Sequence, residues 1–146
     1  MSLAALPFEG NSVVMMKGDI MKNKVVMFEI PASDFKKAKK FYEAVFDWKV
    51  DLWGDEGAMA RTTAADKDYN PTEPGGINGG FYKRKSKADQ PSCGVETESI
   101  DETLTAIEKA GGTVVTPKHA IDEWGFMADF ADPEGNVLSL WEKPKK

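Results

Sequence analysis

Apolar and polar positions along the chain fall into one order of elements that occurs twice. Val25-Val26-Met27-Phe28-Glu29-Ile30 is apolar except for Glu29 and rich in β-branched residues, which reads as a central strand stopped by Pro31. From Ser33 to Phe46 the spacing becomes helical: Phe35, Ala38, Phe41, Tyr42, Val45 and Phe46 share one face, Lys36, Lys37, Lys39 and Lys40 the solvated one, and Ser33 is the expected N-cap. Trp48-Lys49-Val50, Gly57-Ala58-Met59-Ala60 and Gly80-Phe81-Tyr82-Lys83 follow as short strands. About 66 residues on, the order returns. Cys93-Gly94-Val95-Glu96-Thr97 leads to a helix from Asp101 to Ala110, then to Thr113-Val114-Val115, Gly125-Phe126-Met127-Ala128 and Val137-Leu138-Ser139-Leu140-Trp141. Ser99 and Glu102 form a capping box for this helix, Ile100, Leu104 and Ile107 its buried stripe, and Gly111-Gly112 its end.

A strand-helix-strand-strand-strand unit used twice predicts an α+β fold: two tandem βαβββ modules forming a curved mixed sheet around a cavity. The modules are expected over about 24–84 and 91–143 of a single domain 21–146, joined by the polar stretch Lys83 to Pro91. Asp132-Pro133-Glu134-Gly135 has the Pro and Gly placement of a type I turn between antiparallel strands. Its counterpart, from about Thr63 to Asn78, is longer and contains Asn70-Pro71 and Pro74-Gly75-Gly76, a length that suits a lid or rim. Residues 1–20 precede the repeat and are expected to be a leader or an artificial extension without a secretion signal.

Composition narrows the function classes. With 146 residues, 41% of them hydrophobic, the chain can bury one substantial core. A formal charge of −5, with lysines interleaved among acids, argues against a nucleic-acid partner. Runs long enough for a membrane helix are absent from the sequence, and the single Cys93 excludes an intrachain disulfide, so the cytoplasm is the expected setting.

Phe28-Glu29-Ile30-Pro31-Ala32, the helix ending Lys40-Phe41-Tyr42-Glu43-Ala44-Val45-Phe46-Asp47-Trp48, Gly111-Gly112-Thr113-Val114 and the closing Asp132-Pro133-Glu134-Gly135-Asn136 stand in an order that resembles the vicinal-oxygen-chelate superfamily. That group includes glyoxalase I, bleomycin-resistance proteins and extradiol dioxygenases. The resemblance covers Val25 to Glu142 and is strongest to glyoxalase-related proteins of unassigned activity. It implies sheets curled into a half-open cavity and commonly a homodimer. In metal-dependent members four strand positions, two per module, carry His, Gln or Glu. Mapping by the repeat puts Met27, Gly80, Cys93 and Ser139 there, none of them a good ligand for a hard divalent ion, so neither a metal nor another cofactor is expected.

The remaining candidates describe an apolar, sulfur-rich and aromatic pocket. Alternation places Glu29 with Met27, Val95 and Thr97 with Cys93, and Ser139 with Val137 and Trp141. Glu29 is the lone charge of its strand; it is either a ligand anchor or general base, or a carboxylate satisfied by a structural hydrogen bond. Cys93 reads as a nucleophile or, better, as a small buried apolar residue. Trp53 and Trp124 lie in segments suited to an aromatic rim or to capping the core. His119, the only histidine, is expected in an exposed loop.

Ligand-binding candidates are therefore Met27, Glu29, Trp53, Gly80, Cys93, Val95, Trp124, Ser139 and Trp141, with Glu29 the candidate catalytic group. The leading expectation is metal-free binding of a small organic molecule. The alternative is a lyase or isomerase using Glu29 as base, or an atypical divalent site built from Glu29, His119 and Asp122. A third is an interaction module whose cavity is filled by its own side chains.

Overall fold

A computed structural model describes residues 22–145; the leader 1–20 lies outside the described residues. Eight strands and two helices follow one another as β1 (Val25–Ala32), α1 (Phe35–Phe46), β2 (Lys49–Trp53), β3 (Gly57–Arg61), β4 (Asn78–Lys83), β5 (Ser92–Glu96), α2 (Ile100–Lys109), β6 (Thr113–Ala120), β7 (Phe126–Ala131) and β8 (Val137–Glu142), with a 3-10 turn Asp122–Trp124 before β7. All eight strands form one sheet in the order β2-β3-β4-β1-β5-β8-β7-β6. Each half has the same order, and the halves join where β1 and β5 run antiparallel with Met27 opposite Gly94. The two βαβββ modules expected from the repeat are thus present, related by a pseudo-twofold at this junction.

Each module packs its helix on one face of its half-sheet. Phe35 of α1 meets Val50, Ala58, Ala60 and Phe81, with Phe28 and Ile30 of β1 alongside. Ile100 of α2 meets Ala128 and Leu140, with Val95, Leu104, Phe126 and Phe130 alongside. Burial of these apolar groups is the main stabilising term for both halves. The buried carboxylate of Glu142 accepts a hydrogen bond from Ile100 N at 2.8 Å and an ion pair from Lys118 at 3.3 Å, tying the start of α2 to β8.

The helices match the sequence closely, with instructive differences. Ser99 caps α2 and accepts from Glu102 N at 3.2 Å, but Ser99 N itself donates to Thr97 Oγ1. In α1 the cap is Asp34, not Ser33: its carboxylate accepts from Lys37 N at 3.0 Å, and an ionised acceptor suits a helix N-terminus. Only Phe35, Ala38 and Tyr42 of the expected apolar face reach the sheet. Phe41, Val45 and Phe46 are exposed, because the apolar arc is wider than the strip of helix the sheet covers. Strand β6 runs to Ala120, so His119 is exposed on a strand, opposite Met127, rather than in a loop.

Candidate functional site

Helix packing fixes which residues face the other way. Because Phe28, Ile30, Ala58, Ala60 and Phe81 face α1, alternation turns Met27, Glu29, Met59, Gly80 and Tyr82 to the opposite surface. In the second module Ala128, Leu140, Phe126 and Phe130 face α2, so Met127, Asp129, Ser139 and Trp141 join that surface. The surface is concave. Trp53, on edge strand β2, and Trp124, beside β7 near the other edge, stand with ring centroids 5.9 Å apart, a contact that requires the sheet to curl.

At the floor of this cup, Ser139 Oγ lies 2.6 Å from Glu29 Oε2 and 2.7 Å from Asp129 Oδ1. Three strands of the sheet, β1, β8 and β7, contribute one side chain each. Burial pushes the Glu29 carboxyl above its ordinary range; the Ser139 hydrogen bond opposes this and the negative charge of Asp129 adds to it. Met27 lies across the neighbouring backbone, where a Cβ on Gly94 would come within 2.8 Å of its Sδ. Met59 borders Gly80, whose missing Cβ would stand 3.7 Å from the Met59 sulfur.

Aromatic groups from both modules make the rim. Tyr69 packs edge-on against Trp124 with centroids 5.9 Å apart, and its hydroxyl donates to Asp51 Oδ2 at 3.1 Å. Arg61 Nε pairs with the same Asp51 oxygen at 3.2 Å. Trp141 Nε1 donates to Trp124 O at 2.7 Å, so an inward-facing indole of β8 anchors the rim indole. Tyr69 has a left-handed backbone, φ +64°, uncommon for a side chain of its size.

Of the residues singled out by sequence, Met27, Glu29, Gly80, Ser139 and Trp141 lie on the cup face, and Trp53 and Trp124 meet at its mouth. Cys93 and Val95 do not join them. Val95 packs in the α2 core, and Cys93, opposite Phe28 on the helix side, is exposed rather than buried. Thr97 leaves the strand and bonds Thr103 Oγ1 at 2.6 Å beside α2. The error is one residue of register, and one residue reverses the face of every side chain in a strand. Cβ-less Gly94 is the inward residue opposite Met27. The last strands need a similar adjustment. Met27 aligns with Asn78 on β4, and Gly94 with Ser139 on β8, so Asn78 rather than Gly80 is the counterpart of Ser139.

The four positions that would hold a metal are therefore Met27, Asn78, Gly94 and Ser139. They offer a thioether, an amide, no side chain and a hydroxyl. The amide is already engaged: Asn78 Oδ1 accepts from Thr62 N at 2.8 Å and Thr63 N at 3.2 Å, and Nδ2 donates to Tyr69 O at 3.1 Å. Among the described residues no three His, Cys, Asp or Glu side chains gather as a metal site. The residues do not fit the metal centre of the metal-dependent vicinal-oxygen-chelate proteins.

Asp129 and Tyr69 escaped the sequence reading. Asp129 carries the signal that marked Glu29, a lone charge in an apolar strand, Phe126 to Ala131. Tyr69 is found by aligning Asp66-Lys67-Asp68-Tyr69-Asn70 with Asp132-Pro133-Glu134-Gly135-Asn136. In each, the Asp carboxylate accepts from two backbone amides and from the Asn side chain, and Tyr69 occupies the place of Gly135.

Comparison with known proteins places this geometry. The chain is 26% identical over 135 residues to a glyoxylase-like domain-containing protein of Didymella fabae, covering 87% of this chain and 99% of that one. It is 26% identical over 134 residues to the anthracycline biosynthesis protein DnrV of Streptomyces peucetius, covering 80% of this chain but only 46% of that protein, so it spans about half of that relative. In fold it is similar to methylmalonyl-CoA epimerase from Mycobacterium tuberculosis, with a TM-score of 0.58 at 11% identity over 83% of this chain and 88% of the epimerase. The profile of the Glyoxalase/Bleomycin resistance protein/Dioxygenase superfamily matches residues 24–140, and the chain belongs to that superfamily.

Proposed function

We propose that the chain binds a small organic molecule in the cup without a metal ion. The supporting observation is the set Met27, Asn78, Gly94 and Ser139 at the four inward positions, which keeps the two-module scaffold but supplies no imidazole or carboxylate there. The indoles of Trp53 and Trp124 and the phenol of Tyr69 suit a flat apolar group at the mouth, and Glu29, Ser139 and Asp129 supply polar contacts at the floor. The pocket is thus less apolar than the sequence led us to expect. A homodimer and a cytoplasmic setting belong to the same proposal. Native mass spectrometry of the purified chain tests it. The expected spectrum is a dimer without bound metal that gains mass with an organic ligand; one divalent ion per cup would refute the reading.

A second reading, a lyase or isomerase, is favoured by one observation: Glu29 is a part-buried carboxyl with a raised pKa and a fixed hydrogen-bond partner, the condition of a useful general base. Glu29→Gln should then abolish turnover of an identified substrate while the far-UV circular dichroism is unchanged. Turnover that survives the substitution removes Glu29 from that role.

A further inference from the structure

A serine hydroxyl has one proton to donate, and here it stands between two carboxyl groups. At 2.6 Å from Glu29 Oε2 and 2.7 Å from Asp129 Oδ1, both contacts have the length of a hydrogen bond. Were both carboxyls ionised, both would be acceptors only, and one would face the lone pairs of Ser139 without an intervening proton. Both contacts are satisfied together when one carboxyl is protonated and donates to Ser139 Oγ, which donates to the other.

We infer that Asp129, acting through Ser139, is the positioning residue that keeps one proton on the Glu29–Asp129 pair, so that the floor of the cup at neutral pH is one carboxylic acid and one carboxylate.

The resting order is Glu29 O–H to Ser139 Oγ and Ser139 O–H to Asp129. Burial and the Asp129 charge both disfavour ionised Glu29. Among the described residues neither Glu29 nor Asp129 has an ion-pair partner, and Arg84, just beyond β4 beside Tyr82, donates to the carbonyls of Ser86 and Asp89. Tyr82 of β4, whose hydroxyl donates to Gln90 O at 3.0 Å, is itself a weak acid. Arg61 of β3 is paired with Asp51 of β2, Glu96 of β5 with Lys143, and the His119 ring nitrogen of β6 lies 3.0 Å from Pro117 O.

The arrangement permits a balanced proton shift. The Glu29 O–H bond breaks as a new Oγ–H bond forms, while the original Oγ–H bond breaks as an Asp129 O–H bond forms. The net charge of the trio stays at one negative throughout. Glu29 then becomes a carboxylate without exchange with solvent, so one site can present either a neutral acid or a base. In the resting order the oxygens not engaged with Ser139 are acceptors, which favours ligands that bring an O–H or N–H donor to the floor.

Carboxyl 13C NMR of the full chain labelled at Glu and Asp, titrated in the absence of ligand or metal, tests this separately from ligand binding. One Glu signal, missing in Glu29→Gln, should keep the shift of a protonated carboxyl at neutral pH. Its midpoint should fall in Asp129→Asn, where the like charge is gone and the amide can donate to Ser139, which then donates to ionised Glu29. A Glu29 signal that titrates in the ordinary glutamate range in the unsubstituted chain overturns the inference, as does a midpoint unmoved by Asp129→Asn. The unsubstituted measurement decides even if a variant fails to fold. A negative result here leaves the metal-free binding reading to the mass spectrum.

Discussion

The two modules share one plan and use equivalent positions for different purposes. Asn78 and Ser139 occupy matching places on the last strands, beside Met27 and Gly94. Asn78 faces its own module, holding the start and the middle of the loop between β3 and β4 through Thr62, Thr63 and Tyr69. Ser139 crosses the junction to Glu29 of the other module. Arg61 and Asp129, aligned on β3 and β7, diverge in the same way: Arg61 pairs within its module with Asp51, and Asp129 joins the shared floor. One half has turned its inward polar positions into loop scaffolding, and the other has turned them toward the cup. A repeat thus preserves backbone geometry while freeing individual positions to take on chemistry.

Substitution at the matched pair should break this comparison most sharply. Asn78 is only 4% exposed, and Asn78→Ala leaves two backbone amides and a carbonyl without their partner. A loss of about 3 kcal/mol of unfolding free energy is expected by urea denaturation. Ser139→Ala should cost about 1 kcal/mol, since it removes one hydroxyl. Equal losses would contradict the division of labour.

The pH dependence of stability should separate the modules next. Glu29 has its folded pKa raised, so its contribution is fully present below the unfolded value near 4.5 and is lost as pH rises through the folded value. Glu29→Gln should flatten that decline. Asp66 and Asp132, in their matching turns, are held low, chiefly by the Asn70 backbone amide in one and by the Asn136 side chain in the other. Their contribution is present above 3.8 and lost as pH falls through the folded values, in both modules. Thermal unfolding across pH 3 to 9, on the order of the range that spans these groups, reads both limbs.

The smallest effect is expected at Tyr69, where its counterpart is Gly135. A left-handed tyrosine costs about 1 kcal/mol, and its contact with Trp124 returns a similar amount. Tyr69→Gly should therefore change stability by less than about 0.5 kcal/mol while altering tryptophan fluorescence, because it uncovers the Trp124 edge. A large loss of stability would mean that Tyr69 is structural rather than part of the rim.

Much of this architecture was legible in the chain. The repeat gave the module order, the Ser99 cap and the Asp132–Asn136 turn fixed two boundaries, and the isolated charge of Glu29 marked the floor. The register of β5 was not legible, because Cys93, Gly94 and Val95 are all small or apolar and alternation gives no polar mark. The irregular pairing between Val25 and Met27 opposite Val95 and Gly94 sets the face instead, and that is a property of two strands together. Asp129 was legible by the same logic as Glu29. Tyr69 was not, since a left-handed tyrosine contradicts local preference and is held by contacts to Asp51 and Trp124 that lie far away in sequence. The mapping of Gly80 failed for a related reason: the long loop between β3 and β4 hides which β4 residue matches Ser139.

The central claim, an organic-molecule cup without a metal, is tested most directly with methyl-13C-methionine NMR. Met27, Met59 and Met127 line the cup and report on it directly. Aromatic fragments carrying a hydroxyl or amine should shift these three signals, while Zn2+, Ni2+ or Mn2+ at equimolar concentration should leave them unchanged. Saturable shifts or broadening of the same signals by one equivalent of a divalent metal, with no response to any fragment, would contradict the account.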